Sequence, residues 1–222
     1  SSEGLLLGEF GKERRALVNI NEVPELMKKA ILAAEDERFY EHGGVDYIGV
    51  LRAALSNFSS GGVKQGASTI TMQVARNFFL TKEKTVSRKF NEMMLAFKIE
   101  HNLSKDQILE LYINQIYLGQ RAYGFTTAAH IYFGKSMSQL SIAEMAMLAG
   151  LPKAPSVFNP VVNPKRAKLR QMYVLRRMHE LGFIDTTTWE TAQIEPIIPK
   201  RGSQEFAIRS DYVAEMVPQA MY

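Results

Sequence analysis

Apolar positions along this chain recur with the period of a helix almost everywhere. Pro24 stands where a first helical turn tolerates it, and apolar residues then repeat at three- and four-residue intervals through Ala34. The stretch "VDYIGVLRAALSNF" (45–58) carries the same period, and "SSGGVKQGAS" (59–68) reads as a loop. Ser68 is placed to cap a helix running to about Leu80, and Thr81 another running to about His101. Ser104 with Gln107 and Ser141 with Glu144 form capping boxes, the first opening a helix that ends at Gly119, the second one that ends at Gly150. Asn163-Pro164 starts a basic helix that stops at Gly182, and Thr187 with Glu190 caps a last short one. "RRALVNI" is the single convincing strand signal. The pattern therefore predicts a mainly α globule of about eight helices joined by short loops.

Composition narrows this picture only a little. The chain has 222 residues of which 46% are hydrophobic, enough for one sizeable core with or without a small lobe. A net charge of +4 suits an anionic partner such as a phosphate-bearing substrate, nucleic acid or an acidic membrane face, without choosing among them. The absence of cysteine excludes a disulfide framework and a thiolate metal site. No run of eighteen apolar residues occurs, and the opening "SSEGLLLGEFGKERR" lacks the apolar stretch of a signal peptide. Both ends read as those of a domain cut from a longer chain.

Three segments carry candidate chemistry. In "ILAAEDERFYEHGG" (31–44) the apolar surface before Glu35 dries one wall of its environment; that raises a carboxyl pKa and suits it to proton transfer, with His42 and the Gly43-Gly44 turn close by. The alternative there is a solvated helix end. In "GASTITMQVARNFFL" (66–80) Ser68 and Thr69 open a helix whose N-terminus suits a phosphate, or simply cap it. In "TKEKTVSRKFNEMM" (81–94) Lys84, Arg88 and Glu92 recur every four residues with Lys89 beside them, while Val86, Phe90, Met93, Met94 and Phe97 take the other side. That stripe is either a surface ion-pair ladder or a grip for a pyrophosphate. Glu110 and Asn114, four apart in an apolar helix, read as structural groups hydrogen-bonded across helices.

Together these segments resemble the peptidoglycan glycosyltransferase domain (glycosyltransferase family 51) of class A penicillin-binding proteins. The motif E-D-x-x-F-x-x-H-x-G is matched by Glu35, Asp36, Phe39, His42 and Gly44, and G-x-S-T-I-T-Q-Q by Gly66, Ser68, Thr69, Ile70, Thr71 and Gln73, with Met72 in place of the first Gln. R-K-x-x-E falls on Arg88, Lys89 and Glu92; the fourth and fifth motifs resemble "KDQILELYINQIYLG" (105–119) and "AAHIYFGK" through "AEMAMLAGLPKAPSVFNP" (128–160).

The resemblance implies a lysozyme-like, mainly α fold with a large head lobe and a smaller, membrane-associated jaw lobe. Residues 1–20 would be an N-terminal linker, 21–195 the glycosyltransferase domain and 196–222 the start of a linker toward a transpeptidase domain. It implies polymerisation of lipid II into β-1,4-linked glycan with inversion and release of undecaprenyl pyrophosphate, on the outer face of the bacterial cytoplasmic membrane, beyond a native transmembrane anchor. Glu35 would be the general base. Glu92 would stabilise the leaving group, as a ligand to a divalent cation (Mg or Mn) if one takes part; no organic cofactor is implied. Lys84, Arg88, Lys89 and Arg76 would contact phosphates. Gln65, Ser68, Thr69 and Gln73 would line the donor site, with Asp36, Phe39 and His42 near the base. The implied partners are lipid II, the growing glycan strand, the membrane and moenomycin-type inhibitors, not nucleic acid.

A pyrophosphate leaves without a proton, so one base and a cationic cradle suffice, whereas a glycosidase also needs a general acid. The alternative is a lytic transglycosylase or lysozyme-like enzyme, which leaves the Lys84-Arg88-Lys89 stripe unexplained; a nucleic-acid-binding module and a non-catalytic membrane scaffold are more distant. Neither Ser-x-x-Lys nor Lys-Thr-Gly occurs in the sequence, so it carries none of the acylating serine chemistry of penicillin targets.

Overall fold

A computed structural model describes residues 14–51, 68–79 and 86–200. They build eight α-helices of eight residues or more: α1 (Glu25–Glu35), α2 (Ile70–Phe79), α3 (Val86–Asn102), α4 (Lys105–Gln115), α5 (Phe125–Phe133), α6 (Ile142–Ala149), α7 (Pro164–Glu180) and α8 (Thr186–Ile194). The chain is mainly helical, as the apolar period predicts. Residues 47–51 are helical too; residues 52–58 of that stretch, the Thr81 cap, Gln65 and Lys84 lie outside the described residues.

Local chemistry fixes most helix ends. Ser104 accepts from the Gln107 N–H while Gln107 reaches back to the Ser104 N–H, and Ser141 and Glu144 do the same at α6. Three ends differ from the sequence reading. Thr69, not Ser68, caps α2, its hydroxyl accepting from the Met72 N–H at 3.1 Å. Asp185, not Thr187, caps α8 by accepting from the Thr188 N–H at 2.7 Å; a carboxylate satisfies a first-turn donor more strongly than a hydroxyl. Helix α4 stops at Gln115 rather than Gly119, because Ile116 turns extended and the chain then forms β2 (Ala122–Tyr123). That short strand pairs in parallel with β1 (Arg14–Arg15), within the predicted strand segment.

Helix α1 buries Met27, Ala30, Ile31 and Ala33 against α6 and α7. Helix α2 packs on α3 and α4, and Ile70 through Ala75 are buried without a break. A helix enclosed on all sides in its first half is a rigid post, and the candidate site is assembled around it. The main core runs from α1 through α7, with Phe39, Tyr112, Phe125 and Tyr132 among its largest side chains. A second, small apolar cluster joins Val45, Met72 and Ala96. Met72 is therefore packing, pointed away from any polar ligand.

The face of α3 is inverted relative to expectation. Phe90, Met94 and Phe97 are exposed, at 62%, 46% and 37%, whereas Glu92 is 1% exposed. The carboxylate is buried with Arg88 and Lys89 reaching onto it from its rim; Phe90, Met94 and Phe97 stay outside, and Tyr47, Ile48 and Leu51 are also exposed. Glu110 and Asn114 are structural, as read from the sequence. Glu110 accepts from the Ile20 N–H at 2.8 Å, and Asn114 exchanges two hydrogen bonds with the Val18 backbone at 2.8 and 2.9 Å, tying the N-terminal segment to α4.

Candidate active site

Glu35 is the last residue of α1, and its side chain is 9% exposed. One carboxylate oxygen accepts from the Gln73 amide of α2 at 3.0 Å; the other has the Arg170 guanidinium of α7 at 3.5 Å. Burial is the largest influence on the carboxyl and pushes its pKa up; the Gln73 hydrogen bond and then the charges of Arg170 and Lys153 oppose this, while Asp36 adds to it. The result is a dry carboxyl still held within reach of its ionised form, the condition a general base requires. Arg170 is itself fixed by the Ala34 and Gly150 carbonyls and lies over the Tyr173 ring at 4.5 Å.

Asp36, next in the chain, faces the opposite way. It is buried, accepts from the Ile70 N–H at 3.0 Å at the N-terminus of α2, and meets His42 Nε2 at 2.9 Å. Thr69 donates to the Gly44 carbonyl at 2.6 Å. Gly44 has φ +92°, and a Cβ there would stand 3.1 Å from the Ala96 backbone of α3, so both conformation and space call for glycine. Phe39 is fully buried with the Lys105 ammonium 4.4 Å from its ring centre. Lys105 also donates to the His42 carbonyl at 2.6 Å and to Glu100 at 2.7 Å, and Glu100 accepts from Thr71 at 2.5 Å. Asp36, Phe39, His42 and Thr69 thus brace the 36–44 turn, together with Lys105 and Glu100.

The second cluster is on α3. Glu92 has Lys89 Nζ at 3.1 Å and Arg88 Nε at 3.2 Å, and Lys89 also donates to the Ser68 hydroxyl at 2.7 Å. Lys89 is 42% exposed, so this cationic tip opens outward beside the N-terminus of α2. Ser68 stands just before the Thr69 cap and Gln73 is the fourth residue of α2, so the Lys89–Glu92 group meets the start of this helix and Glu35 is contacted further along it. Arg76, half-buried, follows on the same helix.

The structure brings Glu35 and Gln73 together, and separately Ser68, Arg88, Lys89 and Glu92. Sequence reasoning missed Arg170 and Lys153. Arg170 is 135 residues from Glu35 and sits in a helix whose many basic residues give no local sign of which one turns inward. Glu92, the expected metal ligand, already has a cation on each oxygen, and no group of three or more His, Asp or Glu that would hold a metal occurs among the described residues. The donor set does not fit a resident ion.

A helical domain thus carries a buried, raised-pKa glutamate at the end of α1 and a cationic cluster on α3, with Gln73 of α2 against the first and Ser68, just before α2, against the second. The chain belongs to the Transglycosylase family, whose pattern matches residues 3–179, and is an enzyme domain of the transferase class. Individual proteins it is similar to are penicillin-binding proteins 1A. It is 55% identical over 222 residues to penicillin-binding protein 1A of Neisseria cinerea, covering all of this chain and 28% of that protein. It is 50% identical over 221 residues to penicillin-binding protein 1A of Haemophilus influenzae, covering 26% of it. A 2.6 Å crystal structure of penicillin-binding protein 1A from Haemophilus influenzae superimposes with a TM-score of 0.58 and 32% identity, across 99% of this chain and 23% of that one. The chain thus spans about a quarter of the length of these relatives.

Proposed function

We propose that this domain polymerises a lipid-linked disaccharide, lipid II, into β-1,4 glycan, with Glu35 as general base. Glu35 takes the proton of the acceptor sugar's 4-hydroxyl as that oxygen attacks C1 of the donor from the face opposite the pyrophosphate, which inverts the anomeric centre. The C1–O bond breaks with its electron pair on the phosphate oxygen, and undecaprenyl pyrophosphate departs. Lys89 and Arg88, steadied by Glu92, neutralise the charge that develops there, with Ser68 at the same end of the site, Gln73 aiming the base and Arg76 further along α2. Asp36, Phe39 and His42 hold the turn after the base.

The observation that carries this reading is the pairing along α2: Gln73 holds a dry Glu35, and just before the start of the same helix Ser68 meets the Lys89–Glu92 pair. A lytic or lysozyme-like reading has use for Glu35 but none for that cationic end.

Residues 21–195 are proposed as the catalytic unit, divided into a head lobe and a jaw lobe. The exposed Tyr47, Ile48, Leu51, Phe90, Met94 and Phe97 fit contact with the outer leaflet of the cytoplasmic membrane, where a polyprenyl substrate resides. No helix among the described residues is long and apolar enough to cross a membrane. Moenomycin-type inhibitors would compete at the cationic end, as would a divalent ion carried on the substrate's phosphates.

The test is incubation with labelled lipid II. Glu35→Gln and Glu92→Gln are expected to lose polymer, and Lys89→Ala to slow turnover severely. Full-length polymer from Glu35→Gln would refute the base assignment, and soluble fragments released from finished wall by the wild type would favour the lytic reading.

A further inference from the structure

One cation beside Glu35 has no task in this scheme. Arg170 of α7 reaches across to the ends of α1 and α6, and its side chain is only 13% exposed. Its Nε donates at 3.4 Å to the carbonyl of Gly150, the residue that closes α6. One Nη donates to the Ala34 carbonyl in the last turn of α1 at 3.3 Å and stands 3.5 Å from a Glu35 oxygen. The Tyr173 ring supports the guanidinium, its centre 4.5 Å away. A Cβ on Gly150 would come 2.8 Å from Arg170 Cγ, so that glycine makes room for the stem. About two turns further along α7, Arg177 pairs with Glu37, and the helix thus grips the chain on both sides of Asp36.

Glu35 ends α1, where the partial negative charge of a helix C-terminus opposes a carboxylate. A fixed guanidinium offsets that opposition, and its distance matters as much as its charge. At 3.5 Å the contact is an ion pair but too long for a strong hydrogen bond, and the two carbonyls anchor the guanidinium there. The carboxylate is therefore neutralised without tying up the lone pairs of that oxygen, the one not bonded to Gln73. A bidentate clasp would occupy them and weaken the base. The other titratable groups around this carboxyl are Asp36 on its own turn, Arg76 of α2, Tyr112 of α4 and Lys153 after α6. Among the described residues Arg170 is the one that forms an ion pair with it.

We propose that Arg170 is a positioning residue for Glu35: anchored at ion-pair distance by two helix ends, it keeps the carboxylate charged and leaves one oxygen open to the acceptor's 4-hydroxyl. This rests on the reading of Glu35 as base. An opposite charge favours the ionised form, so its removal raises the pKa of the base and moves the acid limb of the pH–rate profile toward neutrality. An arginine that only capped the two helix ends would lower the melting temperature on removal and leave that limb where it is.

The experiment measures kcat/KM for lipid II polymerisation across pH with the intact chain in detergent or vesicles. In Arg170→Gln the acid limb is expected to move up by about one pH unit, so that kcat/KM on the acid side falls about tenfold, with KM little changed. Arg170→Lys keeps the charge and is expected to bring the limb back toward its wild-type position, although an ammonium cannot bridge all three oxygens and the variant melts lower. Gly150→Ala meets no backbone strain at φ −78°, yet its Cβ pushes the Arg170 stem aside. It is expected to displace the limb with the fold kept, and it provides the answer should Arg170→Gln misfold. An inactive Glu35→Gln together with limbs unmoved in both Arg170→Gln and Gly150→Ala would overturn the Arg170 proposal alone. A Glu35→Gln that polymerises at the wild-type rate would overturn the base assignment and this proposal with it.

Discussion

Asp36 offers the sharpest test of how the turn after Glu35 is held. Its carboxylate accepts the Ile70 N–H at 3.0 Å and faces His42 Nε2 at 2.9 and 3.1 Å, in a site where the two side chains are only 3% and 5% exposed. Asp36→Ala removes both acceptors at once. It leaves a helix N-terminal N–H and an imidazole N–H buried without a partner, since no water reaches a site this enclosed. Each orphaned donor costs about 1–3 kcal/mol, so the variant should lose about 4 kcal/mol. For a domain of this size that is about 10 °C in melting temperature. Asp36→Asn keeps the shape and one oxygen, and should lose less than half as much. Circular dichroism melts with urea titrations at constant m-value measure both. If Asp36→Ala unfolds within 0.5 kcal/mol of the wild type, the strut does not exist, and Asp36 must be sought at the substrate instead.

Three further outcomes follow from named contacts. Gln73→Ala removes the hydrogen bond that lowers the Glu35 pKa, so the acid limb of the polymerisation profile should rise, and an unchanged limb would contradict the 3.0 Å contact. Asn114→Ala strands the Val18 N–H and carbonyl and should cost about 2 kcal/mol in a urea titration while leaving polymerisation intact at low temperature. Replacing Phe90, Met94 and Phe97 together by Ser should leave stability within about 1 kcal/mol, because these side chains are exposed, yet weaken sedimentation with lipid vesicles; undiminished sedimentation would remove this face from the membrane contact.

What could be read from the sequence was what short-range chemistry controls. The helical period and the Ser104 and Ser141 capping boxes were each determined within a few residues, and each stands in the structure. The inverted face of α3 was not legible, because periodicity reports that one side is apolar and assumes that this side faces the core. Here a buried carboxylate with two cations takes the inner side, and only tertiary packing decides that. Arg170 was hidden for a related reason: it comes to Glu35 from a different helix, and it does not stand out from the basic residues around it. The motif residues Asp36, Phe39, His42 and Thr69 resembled ligand contacts because a motif records position, not orientation. Their side chains turn out to hold the backbone around the base.

The raised pKa of Glu35 also makes a statement about stability. Unfolded, the carboxyl ionises near the ordinary glutamate value; folded, it resists ionisation because burial disfavours the charge. Below the unfolded pKa both states are protonated and Glu35 costs nothing. As pH rises from there through the folded pKa, the unfolded state releases its proton more readily, and the fold loses stability. Above the folded pKa the full cost is present. A base kept dry enough to work should therefore weaken the domain at neutral pH, and Glu35→Gln, which keeps the shape and a partner for Gln73, should melt higher than the wild type at pH 7. The gap should close as pH falls toward 4, where the wild-type carboxyl is protonated in both states. A Gln variant that melts lower than the wild type at pH 7 would mean that Arg170 and Lys153 more than offset the burial. Glu35 would then be an ion-paired carboxylate whose acid limb lies below the ordinary glutamate range, and the pH profile of polymerisation should show that limb directly.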